Sequence, residues 1–353
     1  MAAASPVPVR LLSIATAVPP HRLDQADVAG VARDLYAGRV DGWEHLAAVF
    51  ASTGVDSRNS TVPLDWFRQP RGWVEKNRLY HDTANALLAE VGAAALARAG
   101  VAAAEVGAVV CVSSTGIATP TLEAGLIDRL GLPRMVQRLP LFGLGCVGGT
   151  VGMARAALMA RALPGRPVLF LVVELCTLAF RYGALDKASV VASALFGDGA
   201  AAAVLVADEA GSGATVAQWG EYTWPDSRDV MGWTVKDDGL GVIFAKRIPA
   251  LIRDCLRPAA DEVLAAMDLR ADTLQGLIAH PGGPKVLDGV AASFPDLADT
   301  LGVARDVLRT HGNMSAATVL FVLEKVQAAG RTGRQLMLSF GPGFTAGFVV
   351  LEL

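Results

Sequence analysis

Short β-branched runs alternate along this chain with Ala- and Leu-rich segments of helical length, and this alternation constrains the fold most. The runs are VGAVVCVSS, RPVLFLVVE, AAAVLVA, GLIAH, LMLSF and GFVVLEL, and they read as buried strands. The segments TANALLAEVGAAALARAG and GGTVGMARAALMARAL have the composition and length of helices. Strands that alternate with helices predict an α/β architecture, in which helices cover both faces of a sheet.

The length of the chain and a faint internal repeat predict two related halves. At 353 residues the chain is long for one ordinary domain. LGCVGGTVGMARAALMA resembles HGNMSAATVLFVLEKVQ, and the two put Cys146 and Asn313 at equivalent places before a helix. A polar, glycine-containing region over residues 208–230 is the expected junction. We therefore expect units over residues 1–210 and 211–353, whose two helix N-termini meet at one site.

The amino-acid composition limits which classes of molecule this protein is expected to bind. Apolar residues make up 52% of the chain and charged residues 18%, so we expect part of the apolar surface to lie in a subunit interface. The net charge of −3, without a basic run, makes nucleic acid and anionic membranes poor partners. No apolar run approaches the roughly 18–20 residues that span a bilayer. The segment LLSIATAV, preceded by Arg10, reads as a first strand, and we expect a cytoplasmic protein.

The four cysteines, Cys111, Cys146, Cys176 and Cys255, lie far apart without a CxxC pair, which argues against a disulfide framework and against zinc. Cys146 stands between glycines where a helix is expected to begin. The N-terminus of a helix carries about half a positive charge, which favours a thiolate and predicts a pKa below about 8.5. The alternative is a small buried hydrophobe.

A nucleophilic cysteine also needs a base and a donor for the substrate oxygen. His280 ends a strand-like run and enters the turn LIAHPGGPKVLDG, at the sheet edge where α/β active sites lie. Its alternative is a surface turn histidine, and its rival is His311. Asn313 suits an oxyanion hole, because its amide donates hydrogen bonds without adding charge. Its alternative is a helix N-cap.

Four motifs in order, GCVGGT, AHPGGPKVLD, HGNMSAATVLFVLE and SFGPGFTAGF, together with LFGDGAAAAVLVAD, resemble the type III polyketide synthase (chalcone and stilbene synthase) family over nearly the whole chain. The resemblance implies a thiolase-type fold of two αβαβα halves, a homodimer, and a Cys-His-Asn site on Cys146, His280 and Asn313. It implies that acyl-CoA and malonyl-CoA are the substrates, joined by decarboxylative condensation, with no metal or redox cofactor.

The resemblance also implies roles for residues around the cavity. Phe196 corresponds to a phenylalanine that guards the passage from the CoA tunnel, and Val242 replaces a second one, which predicts a more open entrance. Cys176 and Ala179 match cavity-lining positions, and Thr119 matches a residue that reaches across the dimer interface. With small side chains at these positions, the chain most resembles the bacterial members of the family that make alkylpyrones or alkylresorcinols from fatty acyl-CoA starters.

Two cations and one loop complete the implied site. Arg58 in TGVDSRNS and Lys285 after HPGGP match positions near the CoA phosphates. In SFGPGF, Ser339 replaces the first glycine of the family's GFGPG. The implied cyclisation loop consists of Gly341, Pro342 and Gly343.

Two other readings share the fold. A β-ketoacyl synthase III has the same Cys-His-Asn site, but it usually follows the histidine with Gln-Ala-Asn and ends with Gly-Gly-Gly, where this chain has HPGG and FGPG. A non-catalytic thiolase-fold partner would lack the cysteine or the histidine. The motifs leave open the starter length, the number of extensions, the use of methylmalonyl-CoA and the mode of ring closure.

Overall fold

The computed structural model describes residues 7–210 and 213–353. Its strands, in chain order, are β1 (Val9–Ala17), β2 (His21–Asp24), β3 (Ser57–Ser60), β4 (Ala108–Val112), β5 (Gln137–Leu141), β6 (Val168–Leu175), β7 (Asp198–Ala207), β8 (Thr215–Thr223), β9 (Met231–Lys236), β10 (Gly239–Phe244), β11 (Gly276–Ala279), β12 (Arg334–Gly341) and β13 (Thr345–Glu352). Its α-helices are α1 (Gln25–Tyr36), α2 (Trp43–Ser52), α3 (Trp73–Ala99), α4 (Leu122–Leu130), α5 (Gly148–Ala162), α6 (Lys187–Leu195), α7 (Ile248–Ala265), α8 (Pro284–Ser293), α9 (Gly302–His311) and α10 (Thr318–Ala328).

All six apolar runs form strands, namely β4, β6, β7, β11, β12 and β13, and LLSIATAV lies in or beside β1. Every residue of β6 and β7 is buried, which explains why these runs are apolar throughout instead of alternating. The edge strand β5 was not expected, because its exposed, proline-containing sequence QRLPL lacks a strand pattern. Helix α3 begins at Trp73, earlier than the apolar pattern indicates.

The nine-stranded central sheet has the order β11-β12-β13-β8-β1-β7-β6-β4-β5 and contains the predicted duplication. In one half β1 is antiparallel to β7, β7 is antiparallel to β6, and β6 is parallel to β4. The other half repeats this pattern with β8, β13, β12 and β11. Strands β1 and β8 pair at the junction, so residues 208–230 contribute a strand to the sheet. The boundary at 210/211 stays a prediction, and residues 1–6, 211 and 212 lie outside the described part.

Helices cover both faces of the sheet, as expected for an α/β architecture. Helix α3 packs on one face against β1, β6 and β7, while α5 packs on the other against β4, β6 and β13. Helix α10 lies next to α5 and repeats its position in the other half. Small residues of α5, including Ala154, Ala156 and Ala157, are buried in this layer and allow close packing. No helix within the described residues has the length and apolar character needed to cross a membrane.

Candidate active site

The two helix N-termini meet, as the internal repeat predicts. Cys146 lies on a 3-10 turn, Gly145–Val147, directly before α5. Asn313 lies just before the matching turn, Ser315–Ala317, which leads into α10. A β-carbon at Gly149 would lie 2.2 Å from the carbonyl oxygen of Ala316, so glycine is required for the two turns to touch.

Cys146, His280 and Asn313 line one cavity with about 270 Å³ of empty space. The three come from three separate parts of the chain: the turn before α5, the end of β11, and the loop before α10. The rest of the wall is largely apolar and consists of Met231, Phe244, Ile248, Ile252, Gly282, Val286 and Phe340. A cysteine, an imidazole and a carboxamide thus converge in a small apolar chamber.

His280 is buried, with 2% of its surface exposed, so it is not a surface turn residue. Its backbone N–H donates to the carbonyl of Leu338 at 2.8 Å, which extends the β11–β12 pairing by one residue. Neither ring nitrogen has a partner among the described residues. Burial lowers the pKa of His280 to about 3, so the ring is a neutral imidazole that can accept a proton. The rival His311 ends α9 and packs its ring edge-on against Phe321.

The carboxamide of Asn313 is oriented by its neighbours. Its Oδ1 accepts from the backbone N–H of Ser315 at 2.8 Å, and its Nδ2 donates to the carbonyl of Gly282 at 3.3 Å. The oxygen therefore caps the turn before α10, while the nitrogen faces the His280 segment. The helix cap and the oxyanion-hole donor, which the sequence alone leaves as alternatives, use different atoms of the Asn313 side chain. This orientation leaves Nδ2–H available to an oxygen in the cavity.

The expectation of a lowered Cys146 pKa is wrong for the free enzyme. Burial raises the pKa of the Cys146 thiol to about 12; the Ser315 side chain lowers it in part and the Glu174 charge raises it further. The desolvation penalty on a buried thiolate outweighs the field of the helix N-terminus. Burial thus favours the uncharged forms of both the Cys146 thiol and the His280 imidazole in the resting site.

Glu174 is a site residue that the sequence reasoning missed. It is the last residue but one of β6, is fully buried, and its Oε2 accepts from the backbone N–H of Ser114 at 3.0 Å. Burial raises the pKa of Glu174 to about 8, and the Ser114 hydrogen bond offsets part of that effect. The signal was a carboxylate at the end of the otherwise apolar run RPVLFLVVE.

A larger cavity, with about 770 Å³ of empty space including its open mouth, contains most of the expected pocket residues. Phe196, Val242, Cys176 and Ala179 all line it. Trp233, which was not singled out, also lines it and meets the Phe196 ring edge-on, with 6.2 Å between the centroids. The wall is predominantly aliphatic and aromatic.

The β9–β10 hairpin contributes side chains to both cavities. Its cross-strand pair Met231–Phe244 contributes to the smaller cavity, and the pair Trp233–Val242 contributes to the larger one. Residues two apart in a strand point to the same face and are about 6.6 Å apart, at about 3.3 Å per residue. One face of the hairpin therefore runs from the cysteine chamber to the larger cavity.

Arg58 lines the larger cavity but is buried instead of being an exposed cation, and its expected contact with a CoA phosphate stays a prediction. It has 2% of its surface exposed, and its guanidinium donates to the carbonyls of Ser193, Ala194 and Phe196 and to the side chain of Gln25. A phosphate would have to displace these acceptors, because they occupy both terminal nitrogens.

The structure places Lys285 and Thr119 on the surface. Lys285 is exposed on the first turn of α8, beside Val286 of the smaller cavity. Thr119 is exposed and forms a cis peptide bond with Pro120. Their expected contacts with CoA and with a partner subunit stay predictions.

The 341–343 loop packs against the cysteine turn. A β-carbon at Gly145 would lie 2.8 Å from Cδ of Pro342, and one at Gly341 would lie 2.5 Å from the carbonyl oxygen of Leu144. Gly343 has φ +84° in the turn after Pro342, a backbone conformation that favours glycine. Ser339 is accommodated because its hydroxyl pairs with that of Thr150 at 2.7 Å. The loop therefore packs against the residues directly before Cys146.

Comparison with known proteins identifies the family. The models for the N-terminal and C-terminal domains of chalcone and stilbene synthases match residues 75–209 and 218–353. The chain belongs to this family. It is a type III polyketide synthase with a thiolase-type fold, and thus an acyltransferase that carries out decarboxylative condensation, as predicted. The non-catalytic reading is thereby excluded.

Three similar proteins illustrate the relationship. A 1,3,6,8-tetrahydroxynaphthalene synthase of Streptomyces peucetius subsp. caesius is 37% identical, over 96% of this chain and 92% of the relative. An alpha-pyrone synthesis polyketide synthase-like protein of Mycobacterium tuberculosis is 27% identical, over 96% and 90%. The crystal structure of 1,3,6,8-tetrahydroxynaphthalene synthase from Streptomyces coelicolor A3(2) superposes with a TM-score of 0.92 at 28% identity, covering 97% of this chain and 99% of the other.

Within the described residues, no group of three or more His, Cys, Asp or Glu side chains is arranged to hold a metal ion.

Proposed function

We propose that this synthase condenses a long-chain fatty acyl-CoA starter with malonyl-CoA and cyclises the product to an alkylpyrone or an alkylresorcinol. The observation that carries the proposal is the largely apolar cavity, of about 770 Å³ including its open mouth, which shares the β9–β10 hairpin with the cysteine chamber. Each buried methylene contributes about 0.8 kcal/mol, so an apolar cavity of this kind favours long chains. The name of the mycobacterial relative, which refers to alpha-pyrone synthesis, agrees with a pyrone product.

The first step loads the starter on Cys146. The neutral imidazole of His280 takes the thiol proton as Sγ attacks the thioester carbonyl of the acyl-CoA. The bond from Sγ to the acyl carbon forms, the bond from that carbon to the CoA sulfur breaks, and His280 returns the proton to the departing CoA thiolate. In this proposal the acyl chain then extends from Cys146 past Phe196 towards Trp233 and Val242, so Phe196 and Val242 line the site of the chain instead of the CoA passage that the family resemblance implies.

The second step extends the chain. Nδ2–H of Asn313 and an N–H of His280 donate to the thioester oxygen of malonyl-CoA. The bond to the malonyl carboxylate breaks and carbon dioxide leaves, so the electron pair forms an enolate on that oxygen. The enolate carbon attacks the acyl group, a carbon–carbon bond forms, and Cys146 leaves as the thiolate. Loss of one such donor costs about 10²–10³ in rate.

The cation and the surface residues have proposed roles in this reaction. We propose that Lys285 pairs with a CoA phosphate; its exposure beside Val286 of the smaller cavity supports this role. Ile117, Met135 and Phe142 are large apolar side chains with 47%, 93% and 63% exposure, and burying them in a homodimer would remove this surface from water. Thr119 lies two residues after Ile117. We expect light scattering to give twice the mass of one chain. We also expect the enzyme to be cytoplasmic, where it has access to CoA thioesters.

The test is an incubation with malonyl-CoA and a series of starters from acetyl-CoA to stearoyl-CoA, with the products read by mass spectrometry. We expect long-chain triketides or tetraketides, whose fragmentation distinguishes a pyrone from a resorcinol. The Cys146→Ala variant should abolish them. The matched Cys255→Ala variant, which removes a partly exposed cysteine on α7, should not.

Three outcomes would contradict the proposal. Aromatic products from malonyl-CoA alone, with no use of acyl starters, would refute the long-chain assignment. A single condensation that requires an acyl carrier protein donor would favour a β-ketoacyl synthase III activity. Retained condensation in Cys146→Ala would remove the cysteine from the mechanism.

A further inference from the structure

Arg58 caps the end of helix α6. Its Nη1 donates to the carbonyls of Ser193 and Phe196 at 2.9 and 3.0 Å, and its Nη2 donates to the carbonyl of Ala194 at 2.8 Å. The last carbonyls of a helix have no partner within the helix, and these are buried away from water. One planar guanidinium thus satisfies three of them, from a strand more than a hundred residues away in sequence.

The capped segment holds the main chain of Asn313. The backbone N–H of Asn313 donates to the carbonyl of Leu195 at 2.8 Å, and the backbone N–H of Gly197 donates to the carbonyl of Asn313 at 3.0 Å. These two bonds form an isolated bridge between Phe196 and Asn313. The position of Asn313 in the chamber therefore depends on residues 195–197, and so does the position of Phe196.

Arg58 also packs directly against this bridge. A β-carbon at Gly197 would lie 3.2 Å from the β-carbon of Arg58, and one at Gly312 would lie 3.5 Å from it. Gly197 and Gly312 are the neighbours of the two bridged residues. The arginine therefore contacts the bridge with its stem and holds the adjacent helix end with its guanidinium.

The buried charge of Arg58 is compensated by neighbouring polar groups. Gln25 accepts from Nη2 and also donates to the carbonyl of Ala194 at 3.1 Å. The nearby carboxylate is Asp198, which accepts hydrogen bonds from Thr61 and Thr177. Burial lowers the pKa of Arg58 to about 10, with Asp198 opposing the shift, so the guanidinium stays charged at neutral pH.

We propose that Arg58 is a positioning residue for the condensation, which holds the α6 end so that Asn313 and Phe196 take their places in the site. This rests on the proposed function, in which Asn313 donates to the thioester oxygen. It replaces a phosphate contact as the reason for an arginine at this position.

The test compares Arg58→Lys and Arg58→Met with the wild type, using malonyl-CoA and the malonyl thioester of N-acetylcysteamine, which lacks phosphates. Displacement of a reacting group by about 1 Å costs about 10²-fold, so we expect kcat to fall by roughly that factor with both donors and KM to change little. Lysine should not rescue the activity, because a single ammonium nitrogen cannot reproduce the bonds that two terminal nitrogens make to three carbonyls and to Gln25. A lysine would still bind a phosphate.

The matched control is Arg161→Met. Arg161 is partly buried, whereas Arg58 is buried, and it stacks on Trp219, with 4.4 Å between the guanidinium carbon and the ring centroid. It lies on the last turn of α5, about 20 Å from Cys146 along that helix, given a rise of about 1.5 Å per residue. We expect it to lose some thermal stability and to keep kcat.

A rise in KM restricted to malonyl-CoA, or wild-type kcat in Arg58→Lys, would overturn the proposal in favour of phosphate binding. If the Arg58 variants do not fold, Gln25→Met tests the same linkage: a reduced kcat at unchanged KM supports it, and a wild-type kcat overturns it. Asn313→Ala is assayed in parallel. Full activity in that variant would refute the proposed role of Asn313, whatever the Arg58 variants show.

Discussion

The substitution Val242→Phe tests whether the larger cavity holds the starter chain. Val242 lines this cavity and pairs across the β9–β10 hairpin with Trp233. The added ring occupies the space of about three to four methylene groups, each worth about 0.8 kcal/mol when buried. Starters long enough to pass Val242 should therefore lose about 2.5–3 kcal/mol, or roughly 100-fold in kcat/KM, at about 1.4 kcal/mol per tenfold. Short starters should be unaffected.

The assay is kcat/KM for condensation across starters from butyryl-CoA to stearoyl-CoA. The control is Val235→Phe, the same substitution on the same hairpin at a side chain with 78% exposure. It should leave the chain-length profile unchanged. The reasoning is refuted if Val242→Phe lowers kcat/KM equally for short and long starters, or if its profile matches that of the control.

Three further predictions concern the chamber. Gly149→Ala puts a β-carbon 2.2 Å from the carbonyl oxygen of Ala316, so it should lower the free energy of unfolding by about 1–3 kcal/mol and remove most of the kcat. The control Gly30→Ala lies in a helix with open space around it and should change neither quantity. Equal melting temperatures for the two variants would contradict this. Glu174→Gln removes a negative charge that raises the pKa of Cys146, so the pH profile of iodoacetamide alkylation should move to lower pH; a shift upward would contradict it. His280 has a pKa of about 3 when folded and 6.5 as its ordinary value, so the unfolded chain binds the extra proton between these values and stability falls as the pH drops below about 6.5. Relative to wild type, His280→Gln should therefore gain about 2 kcal/mol of unfolding free energy at pH 5 over its value at pH 7.5, and urea titrations showing no such gain would refute the burial argument.

The sequence determined the architecture and the three residues assigned to the chemistry. Runs such as RPVLFLVVE are apolar throughout because both faces of their strands are buried, so they were recognisable without the structure. The repeated glycine-rich helix starts indicated the duplication, because close approach of two backbones requires glycine, as at Gly149. His280 follows a strand at the edge where active sites form, but this position left a surface turn histidine open, and the family resemblance singled it out.

Only the tertiary structure decided the electrostatics of the site and the burial of Arg58. The Cys146 pKa depends on how completely the surrounding elements remove water, and a helix N-terminus in the sequence does not report that. An arginine in a polar loop-like stretch reads as a surface cation, yet Arg58 is buried because the acceptors that compensate its burial lie on α6 and on Gln25. Sequence patterns report periodicity and local composition. Desolvation and long-range hydrogen bonding arise from contacts between distant segments, and these exist only in the folded chain.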